Sequence, residues 1–155
     1  MKKRILIDID VVAVANYYKK DRDYPIAKRF IERVEFGEYE LYSAHTLVEL
    51  VKKWKEMKIK DGVLKFYSDY CYVIPPAEIA RRLEERKVRP KVILDQLAKK
   101  GVKEEDGILA VVASLFDLVL VTLNRKHLRD KREEINKILK EGGLNEIGIL
   151  LPNEI

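Results

Sequence analysis

Apolar residues run unbroken through Ile5, Leu6 and Ile7, and again from Leu118 to Val121. Short runs of this kind, with no polar alternation, are what strands buried on both faces look like. Residues 41–43, 72–74 and 147–151 are three further candidates, each bounded by polar residues or proline. The stretches between them repeat apolar positions at helical spacing. They predict helices over 11–20, 25–35, 45–58, 62–70, 76–86, 91–99 and 104–116, with one or two more inside 126–140. Pro25 and Pro76 stand where helices start, and Gly142 with Gly143 where the last one stops. Strands alternating with helices predict an α/β fold, a three-layer α/β/α sandwich around a mainly parallel sheet of about five strands. No repeat or low-complexity segment interrupts the pattern, and 155 residues suit a single domain over 1–155.

Composition narrows the class. The chain is 47% hydrophobic and 37% charged, enough apolar material for a core and too much charge for a membrane protein. No apolar run approaches the roughly 18 residues of a spanning helix. The opening from Met1 to Arg4 passes into a strand-like run rather than a signal peptide, so the expected compartment is the cytoplasm. Cys71 is the only cysteine, which excludes an intramolecular disulfide framework and a thiolate zinc site. Abundant Lys and Glu beside a single glutamine, Gln96, match the habit of hyperthermophile proteins. A net charge of +5 favours polyanionic partners.

Open α/β sheets place their ligands beyond the carboxyl ends of the strands, where loops and helix starts converge. The first strand ends at Asp8, with Asp10 two residues on, and the fourth ends at Thr122, with Asn124 two residues on. Glu49, on the helix after the second strand, and Asp106, in the first turn of the helix that feeds the fourth, join them if those helices begin on the same rim. The neighbours of Asp106 at helical spacing, Ala110, Ala113 and Ser114, are all small, so that acid can come close to the sheet.

These residues resemble the PIN-domain nucleases, a family that includes the VapC-type toxins of toxin and antitoxin pairs. Ile5-Leu6-Ile7-Asp8-Ile9-Asp10-Val11-Val12 resembles the family's opening strand and first acid. Ser43-Ala44-His45-Thr46-Leu47-Val48-Glu49-Leu50 resembles its second motif, and Glu105-Asp106-Gly107-Ile108-Leu109-Ala110-Val111-Val112-Ala113 its third. Leu118-Val119-Leu120-Val121-Thr122-Leu123-Asn124 resembles the closing strand and fourth motif, with Asn124 where an acid is common. The resemblance implies catalytic acids Asp8, Glu49 and Asp106, a metal held by those three with Asn124, and support from Asp10 and Thr122. It further implies hydrolysis of single-stranded RNA by a metal-activated water, with Mg2+ or Mn2+ as cofactor. A small antitoxin as partner and a homodimer of the nuclease are implied as well.

The chemistry suits those residue types. Mg2+ and Mn2+ prefer oxygen ligands and are held by one or two carboxylates plus waters, which leaves positions open for a phosphate. Two carboxylates about 5 Å apart repel by roughly 3 kcal/mol at an effective dielectric near 20, so a group of them tends to protonate or to bind a cation. Arg125, Lys126 and Arg129 after the fourth strand, and Lys19 and Lys20 after the first helix, are candidates to grip RNA phosphates. Tyr17, Tyr18 and Tyr24 lie among the second group and offer faces for unpaired bases.

Plainer readings compete. Asp8 suits a helix N-cap, Asp106 a helix dipole, and Asn124 a turn. Glu49 projects away from the apolar stripe of Leu47, Leu50, Val51 and Trp54, as a solvated surface glutamate does. Two other functions fit part of the pattern: a non-catalytic RNA- or protein-binding module of PIN type, motivated by Asn124, and a haloacid-dehalogenase-type phosphatase. The latter reads Asp8 as nucleophile, Asp10 as general acid and Thr122 as its second motif, but the acids after Thr122 match no third one.

Overall fold

The structure, a computed structural model, describes residues 2–155, so of the expected opening only Met1 lies outside the described residues. Five strands appear where the apolar runs placed them: β1 Lys3–Ile7, β2 Tyr39–Ala44, β3 Cys71–Ile74, β4 Val119–Val121 and β5 Ile149–Leu150. They form one sheet in the order β3-β2-β1-β4-β5, every pair parallel, with Ile5 opposite Leu41 on one side and Val119 on the other. Eight α-helices connect them: α1 Ile9–Tyr17, α2 Tyr24–Glu35, α3 His45–Lys52, α4 Met57–Tyr70, α5 Pro76–Glu85, α6 Pro90–Lys99, α7 Glu104–Leu115 and α8 Arg132–Glu141.

Alternation along β1 splits the core in two. Leu6 joins Leu120 and the buried faces of α6, α7 and α8, whereas Ile5 and Ile7 join Val121 and the buried faces of α1, α2 and α4. Ile5, Leu6 and Ile7 are each fully buried, so each contributes about 1.5–3 kcal/mol through burial, and Leu6→Ala would cost about 2–5 kcal/mol by leaving a void. The three-layer α/β/α sandwich with a parallel sheet is therefore the architecture of the chain.

Two expected helices differ in extent. The segment expected as one helix over 45–58 stops at Lys52, because Leu47 and Val51 fill the core within two turns and Trp54 N–H bonds back to Val51 O (3.0 Å). The chain then restarts as α4 at Met57, N-capped by the Glu56 carboxylate, and lays Val63, Phe66 and Tyr67 inward. The first helix begins two residues earlier than expected, at Ile9, because Asp8 caps it. At the far end, α8 stops at Gly142 and Gly143 as expected. Gly143 sits at φ +90°, which a glycine adopts without strain, and Leu144 N–H closes the turn on Leu139 O (2.8 Å). Among the described residues no helix is long and apolar enough to cross a membrane.

Candidate functional site

The chain leaves β1 toward β2 and β3 on one side, then returns to β4 and β5 on the other, so the strand order reverses between β1 and β4. At such a switch point the loops diverge and open a crevice above the carboxyl ends. Asp8 follows β1 directly. It is buried, with 9% of its surface exposed; one carboxylate oxygen accepts Ile9 N–H and the other accepts the Thr122 hydroxyl, both at 2.8 Å. Asp10, in the first turn of α1, accepts Leu123 N–H on both oxygens at 3.3 Å. The exits of β1 and β4 are thus tied together by two carboxylates.

Asp106 enters from the first turn of α7. Gly107 beside it lets α7 lie close on α6, since a Cβ there would be 2.9 Å from Leu94 Cδ2. Ala110, Ala113 and Ser114, the small residues on its stripe, are all buried. Asn124 Nδ2 donates to Asp106 Oδ2 (3.3 Å), while Asn124 Oδ1 accepts His127 N–H and Asn124 N–H donates to Thr122 Oγ1. Asn124 therefore meets Asp106 as a hydrogen-bond donor, with its own oxygen turned into the loop. Asp8, Asp10, Asp106, Thr122 and Asn124 thus lie on one rim, linked by hydrogen bonds through Thr122, Leu123 and Asn124.

Glu49 does not join them, and its assignment to the three-acid centre is corrected. Its carboxylate lies 3.4 Å from His45 Nε2 and 3.3 Å from Lys52 Nζ, half exposed, in a groove it shares with Glu104 and Glu105 at the start of α7. The helix pattern explains the placement: Leu47 and Val51 take the inward face, leaving position 49 to the rim.

Burial pushes the Asp8 carboxyl up to about 6, opposed by the Thr122 hydrogen bond and reinforced by the charge of Asp106. Burial, and then the Asp8 charge, hold Asp10 well above the ordinary range. Burial also raises Asp106, against the pull of the nearby His127. Among the described residues none of the three carboxylates has a Lys or Arg within ion-pair distance. Their donor set is all oxygen, which suits a hard divalent cation. Among the described residues no group of three or more His, Cys, Asp or Glu is arranged so that it could hold a metal ion. Mg2+ requires no such group, since one or two carboxylates with waters hold it. Asp8 and Asp106 are the two acids of the expected ligand set that this rim offers for it, with Asp10 beside them.

The expected phosphate grips divide. Arg125 is committed to Asp23 through two bonds of 2.7 and 2.8 Å, and Arg129 to Glu154. Lys126, Lys19 and Lys20 are exposed. Of the tyrosines, Tyr17 packs its hydroxyl against Gly62, and Tyr24 lies under Lys28. Only Tyr18 keeps about half its surface free.

Sequence reasoning missed Tyr67. Its hydroxyl and Ser43 Oγ are neighbours, both buried and neither completing a hydrogen bond. Burial, then the Asp8 charge, holds the phenol well above its usual range, so it sits close to the acids. No signal marked it, because Tyr67 occupies the apolar face of α4 like any core aromatic. His127, which the sequence places among the cations after the fourth strand and assigns to no metal, lies beside Asp106 with a buried, unpartnered Nδ1.

No protein-family model matches the chain, and no curated protein does. Among solved structures it is similar to VapBC2 from Rickettsia felis bound to a DNA fragment from its promoter, at 13% identity and TM-score 0.58. That match covers 96% of this chain and 98% of the other. FitAcB from Neisseria gonorrhoeae aligns at 12% identity and TM-score 0.49, over 97% and 99%. The resemblance to the PIN-domain nuclease family is accordingly corrected as a statement of membership. No family model supports it, and at 13% identity the solved structure shares the fold alone. What stands is the architecture, a PIN-like three-layer sandwich.

Proposed function

We propose that the chain is a metal-dependent endoribonuclease acting on single-stranded RNA at the crevice between β1 and β4. One observation carries the reading: Asp8, Asp10 and Asp106 gather at the switch point with no Lys or Arg paired to them, an excess of negative charge that a divalent cation would neutralise. When bound there, Mg2+ or Mn2+ supplies a lowered water pKa and neutralises charge on the scissile phosphate. The chain's own residues do the rest. Thr122 and Ile9 N–H hold the Asp8 carboxylate in one orientation, and Leu123 N–H holds Asp10. Asn124 fixes Asp106 through its amide, so the acids are aimed before substrate arrives.

VapBC2 is a complex, and the shared architecture supports a protein partner for this chain too. In this reading the partner is a small antitoxin that covers the acids.

The test is a panel of structured and unstructured RNAs with Mn2+, comparing wild type with Asp106→Asn. Cleavage of unstructured RNA should need Mn2+ and fall more than about 100-fold in the variant, beyond the loss typical of groups behind a metal's direct ligands. Equal cleavage by Asp106→Asn, or none by wild type, would overturn the proposal. A second reading, a non-catalytic RNA-binding module, is favoured by the donor orientation of Asn124 and the outward Glu49. It is selected if Mn2+ gives wild type no thermal stabilisation, since a cation at 100 times its Kd should add about 2.7 kcal/mol.

A further inference from the structure

Two surface grooves share Asp21, and one of them includes Asn124, the hydrogen-bond partner of Asp106. The first is of mixed charge, with Asn124, Arg125 and Lys126 facing Asp21, Asp23 and Asp130; the second shares Asp21 and is walled by Tyr18, Lys19, Lys20 and Lys58. Their lysines are unlike Arg125 and Arg129. Those two arginines are neutralised by Asp23 and Glu154, but Lys19, Lys20, Lys58 and Lys126 have no acidic partner within ion-pair distance among the described residues. The one acid at the junction, Asp21, accepts Asp23 N–H at 2.8 Å. In the middle of this lysine group Tyr18 ends α1 with 48% of its surface exposed, while Tyr17 beside it is locked against Gly62. An unmatched row of cations around a free aromatic face suits a flexible polyanion whose monomers carry planar rings.

We infer that the second groove is a binding subsite for single-stranded nucleic acid: Lys19, Lys20 and Lys58 take successive phosphates and Tyr18 stacks on an unpaired base. The first groove leads the strand from there to the acids. This rests on reading the crevice as the place of phosphodiester hydrolysis, because that reading makes the strand's path continuous. Lys58 enters from the first turn of α4, which exists only because the helix expected over 45–58 breaks at Lys52.

The experiment measures binding without chemistry. Fluorescence anisotropy of a short fluorescein-labelled single-stranded RNA is followed in EDTA across a range of salt, for the full chain. Lys19→Ala/Lys20→Ala/Lys58→Ala should flatten the slope of log affinity against log salt by about 2, near 0.7 for each phosphate no longer neutralised. Tyr18→Ala should weaken binding about fivefold or more, with Tyr18→Phe restoring it. DNA of the same sequence should bind comparably, and duplex RNA more weakly, because paired bases do not offer a face to Tyr18. Lys91→Ala/Lys99→Ala/Lys137→Ala removes the same charge from exposed positions on α6 and α8 and should change the slope little. The inference is overturned if wild type does not bind, if the two triple variants lose equally, or if duplex binds as tightly as single strand. Retained binding with no Mn2+-dependent cleavage would keep this subsite and reject the nuclease, so the two failures are told apart.

Discussion

Acids on either side of the loop that follows β4 meet opposite treatment. Asp23 and Glu154, on the flank, are gripped by Arg125 and Arg129, and those hydrogen bonds hold both carboxyls below their ordinary range. Asp8, Asp10 and Asp106, in the crevice, are pushed up first by burial and then by neighbouring acids: Asp106 acts on Asp8, Asp8 on Asp10 and Glu105 on Asp106. The loop carries both arginines and Asn124, so cations were within reach of the crevice, yet they point outward. A protein that pairs its acids nearby and leaves three unpaired at a strand-order reversal concentrates unfavourable charge where a ligand can relieve it. The contrast separates the acids that hold the fold from those it tolerates.

The largest expected effect sets the two groups against each other through pH. For a carboxyl raised in the folded state, stability is fully present below its unfolded value and lost as pH rises through the folded one. For Asp8 the window runs from 3.8 to about 6, a loss on the order of 3 kcal/mol. Asp23 and Glu154, being lowered, act in the other sense: their contribution is present above their unfolded values and lost as pH falls. In EDTA the melting temperature should therefore rise out of strong acid and then fall by several degrees as pH passes about 6. Asp8→Asn should remove its own share of that fall and leave the part due to Asp10 and Asp106, because the amide still accepts Ile9 N–H and can face Thr122. A melting temperature that is flat or rising from pH 5 to 8 in wild type would break the comparison.

The flank should respond with the reverse sign. Asp23→Ala strands Arg125, whose side chain is 29% exposed, without its bidentate partner. Breaking a fully buried pair costs about 3–5 kcal/mol, and partial exposure here reduces that to roughly 1–3 kcal/mol at neutral pH. Urea denaturation should show that loss, while Asp8→Asn in EDTA should gain stability at the same pH. The double variant Asp23→Ala/Arg125→Ala should lose less than Asp23→Ala alone. A loss below about 0.5 kcal/mol for Asp23→Ala would mean that the ion pair is a surface decoration.

Much of this is legible in the sequence alone. The unbroken apolar runs at 5–7 and 118–121 could only be two-sided strands, and the strand-end rule by itself singles out Asp8, Asp10, Thr122 and Asn124. What escapes it is set by distant packing. Asp23 and Arg125 are 102 residues apart, and nothing local marks them as partners. Tyr67 looks like core because it is core, and its place beside Asp8 follows from how α4 lies on the sheet. The break at Lys53–Glu56 depends on how much helix the core can use, which local periodicity does not report. For Glu49 the apolar stripe points correctly to a solvated face, and the motif resemblance pulls the expectation the other way.

Glu49 is also where the smallest effect is expected. Its carboxylate sits between His45 and Lys52 on the same helix, with 46% of the side chain exposed. Exposed pairs of this kind are worth about 0–1 kcal/mol, and glutamine keeps the shape and one acceptor. Glu49→Gln should therefore shift stability by less than about 0.5 kcal/mol and leave the Mn2+ Kd within about threefold, read by calorimetry. If instead the Kd rises tenfold or more, Glu49 must leave Lys52 once a cation is bound and swing over the start of α7 toward Asp106. The centre would then have four carboxylates, one of them counted among the compensated acids in the cation's absence, and the divide between the two groups would depend on the metal itself.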